Sequence, residues 1–281
     1  MIRKITGFLF GLLFLVGLGI LLYPTVSDKW NAYRQAQLIS TYEEAVAELP
    51  REAHDEIWEA AHKYNEELWS KGNRYEFSDE EREYYESQLD VAGNGIMGYI
   101  EIPSIKCSLP IYHGTEEDVL QIAVGHIEGT SLPVGGESTH CALSGHRGLP
   151  SAKLFTNLDQ LKEGDTFLLK ILGETLTYEI DQILTVLPEE MEALNLERGA
   201  DYCTLVTCTP YGVNSHRLLV RGKRTENAPE EIPEAEEQET FTPVQGITAG
   251  IPLWMAALVV AVPLALALMI WLLFRRRNRK K

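Results

Sequence analysis

Cys208 ends a run of strand-favouring residues, Thr204-Leu205-Val206-Thr207, and is followed by Thr209-Pro210. β-Branched residues favour strands and proline stops them. A second run, Arg217-Leu218-Leu219-Val220-Arg221, follows after a segment holding Gly212 and Asn214, which suit a turn. Paired as a hairpin centred between Gly212 and Val213, the runs place Cys208 opposite Arg217. Opposed residues on one face of a sheet have Cβ atoms about 4.5–5.5 Å apart. A guanidinium beside a thiol favours the thiolate, so the pair has the chemistry of an activated nucleophile. The same spacing also fits a buried cysteine and a surface arginine.

A second stretch with chemical potential is Cys141-Ala142-Leu143-Ser144-Gly145-His146-Arg147-Gly148. A strand ending in Ser-Gly-His leaves the imidazole at a strand terminus, where it can move protons near neutral pH. His113 and His126 also sit at strand ends, and the residues alone leave them open. No His/Cys cluster has metal-ligand spacing. There is no phosphate-cradling glycine loop and no Gly-x-Ser-x-Gly elbow.

The elements that must position these groups lie between two apolar stretches. Residues 5–23 and 251–274 carry no charge and reach the ~18 residues expected of a transmembrane helix. Pro263 interrupts the second, which membrane helices tolerate. Basic residues crowd the tail 275–281, and Arg3 and Lys4 precede the first stretch. The positive-inside rule then puts both termini in the cytoplasm and everything between the spans outside. A cleaved signal peptide is the rival reading of the first stretch, but its apolar run is long and no small-x-small site follows. The formal charge is −16 and the two tails contribute +8, so the segment between carries −24. That acidity argues against a nucleic-acid partner and against lying flat on an anionic membrane.

The outer segment divides further. Residues 24–92 read as helical. Ser27 to about Glu48 and Arg51 to Ser70 have helical composition, with Ile57, Ala61, Tyr64 and Leu68 at helical spacing. Ser78-Asp79-Glu80-Glu81 is a capping-box signature. This region is either a stalk or a regulatory segment packed on the domain that follows. Residues 93–224 carry eight short strand candidates with turn punctuation, which suits a closed barrel. These are Met97–Ile102, Ile105–Ile111, Gln121–His126, Thr139–Ser144, Thr166–Leu172, Glu174–Leu187, Asp201–Thr207 and Arg217–Lys223. Residues 225–250 form an acidic linker with too few apolar side chains to order. Of the four cysteines, Cys203 and Cys208 sit five apart on one strand, too distant to bridge at roughly 3.3 Å per residue. Free thiols are expected, since the segment is long enough to bury a core without staples.

With these residues assembled, the chain resembles the sortases. Thr-Leu-Val-Thr-Cys-Thr-Pro at 204–210, with Arg217 nine residues after Cys208, looks like their active-site signature, and Leu-Ser-Gly-His-Arg-Gly at 143–148 matches their histidine segment. The runs 98–103, 109–114 and 125–133, together with the second span, resemble the class C, pilus-building, sortases. The resemblance implies a mainly β, eight-stranded sortase-type barrel with short helices, an N-terminal helical region and two flanking spans. It implies a cysteine transpeptidase in which Cys208 is the nucleophile, His146 the proton donor and acceptor, and Arg217 the transition-state stabiliser. It implies Leu-Pro-x-Thr-Gly-like sorting signals as substrates, cleaved between Thr and Gly, a pilin lysine as acceptor, and no metal or organic cofactor. Anchoring of surface proteins to peptidoglycan is the alternative within the family, and a non-catalytic membrane-tethered scaffold the alternative outside it. One departure stands out. Class C sortases commonly carry an Asp-Pro-aromatic lid, and this chain has no Asp-Pro. The expected region reads Arg74-Tyr75-Glu76-Phe77-Ser78, so either Tyr75 or Phe77 replaces the plug, or the lid is absent or open.

Overall fold

The computed structural model describes residues 2–226. The expected linker beyond them, the second span and the basic tail lie outside the described residues. Three helices precede the strands: α1 (Ile2–Ala47), α2 (Arg51–Ser70) and α3 (Asp79–Glu86). The strands are β1 (Ile96–Ile102), β2 (Cys107–His113), β3 (Val124–His126), β4 (Thr139–Ser144), β5 (Thr166–Ile171), β6 (Glu174–Val186), β7 (Asp201–Thr209) and β8 (His216–Arg224). A one-turn helix, α4 (Glu117–Leu120), lies between β2 and β3. The strands close into a barrel in the order β1-β2-β3-β4-β7-β8-β6-β5. Closure removes the sheet edges that a string of short strands would otherwise expose.

Strand alternation sorts β4, β7 and β8 into two faces. Cys141, Leu143, Cys203, Leu205, Leu218 and Val220 point into the barrel core, where Phe155, Phe167 and Tyr178 are fully buried. Ala142, Val206 and Leu219 point outward and form a second, smaller apolar cluster with Leu194 of the β6–β7 connection. By the same alternation Cys208 and Arg217 belong to this outer face. All four cysteines are free.

The helices pack on the barrel and share its core through Ala61, Tyr64 and Leu68 of α2 and Tyr85 of α3. Buried polar groups fix them. The Tyr42 hydroxyl of α1 donates to the Met97 carbonyl at 3.1 Å and accepts from the Leu172 amide at 2.8 Å. The Asn65 side chain donates to Leu132 O at 3.2 Å and accepts from Leu132 N at 2.7 Å. The capping box of α3 forms as its sequence signature demands, with Glu81 N donating to Ser78 Oγ and Ser78 N to the Glu81 carboxylate.

Most strand ends shift by one or two residues from the sequence reading, and three larger differences have local causes. α1 is one continuous helix through Pro24, where the sequence suggested a span and then a separate helix. β2 starts at Cys107 because Pro103–Ile105 forms a 3-10 turn ended by Lys106 in the left-handed region, φ 51°. β3 is cut to Val124–His126 because helical hydrogen bonding continues past α4, with Gln121 N donating to Glu117 O and Ala123 N to Val119 O.

His140, on β4, is buried in its neutral form: Nδ1 donates to Asn195 O at 2.9 Å and Nε2 accepts from the Thr204 hydroxyl at 2.7 Å. Burial lowers its pKa, aided by Arg221 and Arg74 and opposed by the Asn195 hydrogen bond and Glu197. The folded pKa lies below the unfolded value of about 6.5, so the unfolded chain takes up the proton first as pH falls. Stability contributed by neutral His140 is therefore complete above pH ~7 and is lost below pH ~6.5, at no more than about 1.4 kcal/mol per pH unit. Denaturation midpoints measured from pH 7.5 to 5.5 should fall, and His140→Gln should flatten that slope. Asp201, whose carboxyl burial pushes up, is common to both proteins and cancels in the comparison.

Candidate active site

The β7–β8 hairpin pairs Cys208 with Arg217 and Thr209 with His216. The connecting loop closes on Pro210 O, which accepts from Val213 N and Asn214 N, both at 3.0 Å. Gly212 and Asn214 take positive φ, 74° and 60°, as a tight reversal needs. Arg217 Nη1 donates to the carbonyls of Asn214 at 3.3 Å and His216 at 3.2 Å, so the loop itself orients the guanidinium.

β4 runs parallel beside β7, with Ser144 level with Val206. The ladder continues one residue further: Gly145 N donates to Val206 O at 3.0 Å, and Thr207 Oγ1 donates to Gly145 O at 2.7 Å. His146 follows Ser144 by two residues, as Cys208 follows Val206 by two. These bonds keep the chain beside β7 as it leaves β4, so His146 follows next to the end of β7 that carries Cys208. Cys208 near the end of β7, Arg217 near the start of β8 and His146 just past the end of β4 therefore lie at the same end of the barrel.

The His146 backbone is held from the other side too. Phe155 N donates to His146 O at 3.1 Å, and the Phe155 ring occupies the space beside Gly145, where an added Cβ would sit 2.6 Å from its Cδ2. Only glycine lets the chain pass there. The imidazole Nε2 lies 3.7 Å from the Glu117 carboxylate and is buried with no hydrogen-bond partner among the described residues. The rival histidines are engaged otherwise. His113 lies against Gly95 O and Gln88 O, and His126 is fully buried against Tyr85 and Ser131. Of these three histidines, His146 is the one with a buried ring nitrogen that lacks a hydrogen-bond partner among the described residues. An unpartnered buried polar atom costs stability, so a functional reason for it is worth seeking.

Sequence reasoning missed the surroundings of these groups. Arg147 pairs with Asp159, donates to Thr209 Oγ1 at 3.4 Å and sits 5.9 Å from the Tyr211 ring, tying the histidine loop to the β7–β8 loop. The outward face of β4, β7 and β8 leads to Cys208 as an apolar strip of Ala142, Val206 and Leu219, against which Met191, Ala193 and Leu194 pack. His146-Arg147-Gly148 was the one local signal for Arg147; Asp159 and the loop over the strip are non-local.

The residues at the lid position are placed as follows. Phe77 lies 4.3 Å from Lys71 Nζ and 6.3 Å from the Tyr85 ring. Tyr75 covers Gly129, and Arg74 donates to Asn195 Oδ1 at 3.2 Å. Asn195 O binds His140, which is level with Tyr202. Cys208 is six residues further along β7, about 20 Å away. Tyr75 thus sits at the opposite end of the strip from the thiol.

The Sortase domain family matches residues 100–225. The crystal structure of sortase C1 from Streptococcus agalactiae is 50% identical, with a TM-score of 0.67, over 68% of this chain and 100% of that one. The chain belongs to the sortase family. Sortase C from Clostridium perfringens, solved with the C-terminal cell wall sorting motif, is 45% identical with a TM-score of 0.61, over 68% of this sortase and 100% of that chain. Its structural neighbours are class C sortases. Sortase D of Bacillus subtilis (strain 168) is 32% identical over 130 residues, 45% of this chain. The match spans 63% of that relative, less than two thirds of its length. The closed eight-stranded barrel expected from the sequence is thus the fold of the family.

Proposed function

We propose that this sortase is a membrane-anchored cysteine transpeptidase that cleaves Leu-Pro-x-Thr-Gly-like sorting signals and joins the new carboxyl end to a lysine amine of another pilin. The observation that supports the reading is the pairing of Cys208 with Arg217 across the β7–β8 hairpin, with His146 just past the end of the neighbouring β4.

The Cys208 sulfur attacks the threonine carbonyl carbon, and a C–S bond forms while the carbonyl electrons move to oxygen. Arg217 donates to that developing oxyanion. The oxyanion collapses, the C–N bond to glycine breaks, and His146 gives its proton to the departing amine. The acyl group is left as a thioester on Cys208. A lysine amine then attacks the thioester, His146 takes its proton, an amide forms and the thiolate is released. The scheme requires no metal or organic cofactor.

The membrane anchor rests on α1, which is long and apolar enough to cross a membrane and exposes Leu13, Phe14, Ile20 and Leu21. The uncharged apolar stretch at 251–274 and the basic tail after it, read as a second span, support a topology with both termini cytoplasmic and the barrel outside.

Incubation with a Leu-Pro-x-Thr-Gly peptide followed by intact-mass measurement tests the reading. A thioester adduct mapped to Cys208, converted by hydroxylamine to a hydroxamate, is expected. A scaffold without chemistry gives neither product. Mass spectrometry of products made in cells then separates a pilin isopeptide from attachment to a peptidoglycan stem peptide.

A further inference from the structure

We propose that the catalytic rim of the barrel rests on the bilayer, with the tip of the β7–β8 loop, Tyr211 and Val213, seated among the lipid headgroups. The proposal rests on the membrane-span part of the functional reading and is independent of its chemistry.

The argument starts from α1 as a ruler. The uncharged stretch ends at Tyr23. Ser27, Asp28 and Asn31 follow on the same unbroken helix, so they stand about 6–12 Å beyond it at 1.5 Å per residue. These three residues hold the loop after His146. Ser27 Oγ donates to Pro150 O at 3.4 Å, Asn31 Nδ2 to Ser151 O at 2.9 Å, and Lys153 N donates to Asp28 Oδ1 at 3.0 Å. An ion pair between Lys153 and Asp28 at 3.4 Å closes the contact. The other end of the barrel is held much further up the helix. Tyr42 binds the Leu172 amide at 2.8 Å, and Val46 lies against Gly173. Those residues stand about 30–35 Å beyond Tyr23. The barrel is therefore oriented with its His146 loop toward the membrane and the β5–β6 turn away from it.

The β7–β8 tip belongs to the membrane-facing end. A Cβ on Gly148, two residues before Pro150, would meet Tyr211 Cε2 at 3.0 Å, and Arg147 approaches the same ring. Tyr211 is nonetheless 60% exposed and Val213 69% exposed. The headgroup layer extends about 5–8 Å beyond each side of the hydrocarbon core. A loop that starts from groups 6–12 Å above the core's edge reaches it. Tyrosine is favoured in that layer. In a chain of charge −16, residues 210–216 contain no acid. The occupant is thus the lipid surface of the bilayer that α1 enters.

The consequence is positional. Cys208 is three residues from Tyr211, so its thiol works close to the membrane plane.

The test uses the full chain carrying Cys208→Ala, reconstituted in phosphatidylcholine vesicles. An environment-sensitive fluorophore is attached in turn to Val213→Cys, to Glu174→Cys beside Gly173, and to Leu18→Cys within the span. Lipid spin-labelled in the headgroup should quench the probe at 213 by about twofold or more and blue-shift its emission, and leave the probe at 174 unchanged. Lipid spin-labelled in the acyl chain should quench the probe at 18. Quenching at 18 with a probe at 213 that behaves like the one at 174 overturns the proposal. Absence of quenching at 18 overturns the span reading and the proposal with it. Neither result touches the thioester assay, so the chemistry and the placement stand or fall separately.

Discussion

Cys208→Ala should abolish the covalent adduct with a sorting peptide and lower transpeptidation by about 10⁴-fold or more, with the barrel still folded. Removal of the nucleophile from a hydrolytic triad leaves only the contribution of binding and oxyanion stabilisation, and the drop is of this order or larger. Folding should survive because Cys208 is half-buried at a strand end and its register is set by the backbone ladders to β8. The other thiols cannot stand in. Cys141 and Cys203 are buried in the barrel core, and burial pushes the Cys107 thiol up to about 12, so it holds its proton at neutral pH. Hydroxamate yield against time, with thermal denaturation as the folding control, checks this. A variant that still forms hydroxamate would remove Cys208 from the mechanism.

The sequence made the hairpin legible because its information is local. Strand-favouring runs flank Gly212 and Asn214, and counting outward from the turn pairs Cys208 with Arg217, as observed. The capping box at Ser78 was legible for the same reason. His146 was different. Its residues suggested a strand end but did not choose it over His113 or His126; the family resemblance did. The structural reason lies in the parallel pairing of β4 with β7, which joins residues some sixty positions apart and leaves no local trace. The hydrogen bonds that occupy His113 and His126 are likewise long-range, down to the Tyr85 hydroxyl on α3 that meets His126 Nδ1 at 2.8 Å. The continuity of α1 across Pro24 was not legible, because proline removes one helical hydrogen bond without forbidding the next turn when packing supports it. Here the packing begins at once, through Ser27, Asp28 and Asn31. The alternative of a bare stalk gave no hint of these contacts, since their partners at 150–153 lie in a loop with no periodic pattern.

Arg217→Lys should cut kcat/KM by about 10²–10³-fold while the denaturation midpoint stays near that of the parent. The substitution keeps the positive charge, so it separates charge from geometry. Arg217 uses one nitrogen, Nη1, on two loop carbonyls, Asn214 O and His216 O. A guanidinium has five N–H donors in a rigid plane, so that tether fixes the direction of the remaining donors toward a neighbouring oxyanion. A lysine ammonium can satisfy the same carbonyls, but its flexible stem leaves no second group fixed in place. If the arginine acts on charge that develops only in the transition state, kcat should carry the loss and KM should move little. Arg217→Ala should then be only modestly worse than Arg217→Lys, because the fork and not the charge supplies most of the stabilisation. Steady-state hydroxylaminolysis of a sorting peptide by the three proteins gives both parameters. A lysine variant with near-parental turnover would mean that a nearby positive charge suffices, and the hairpin pairing of Cys208 with Arg217 would then serve to favour the thiolate and not to hold the oxyanion.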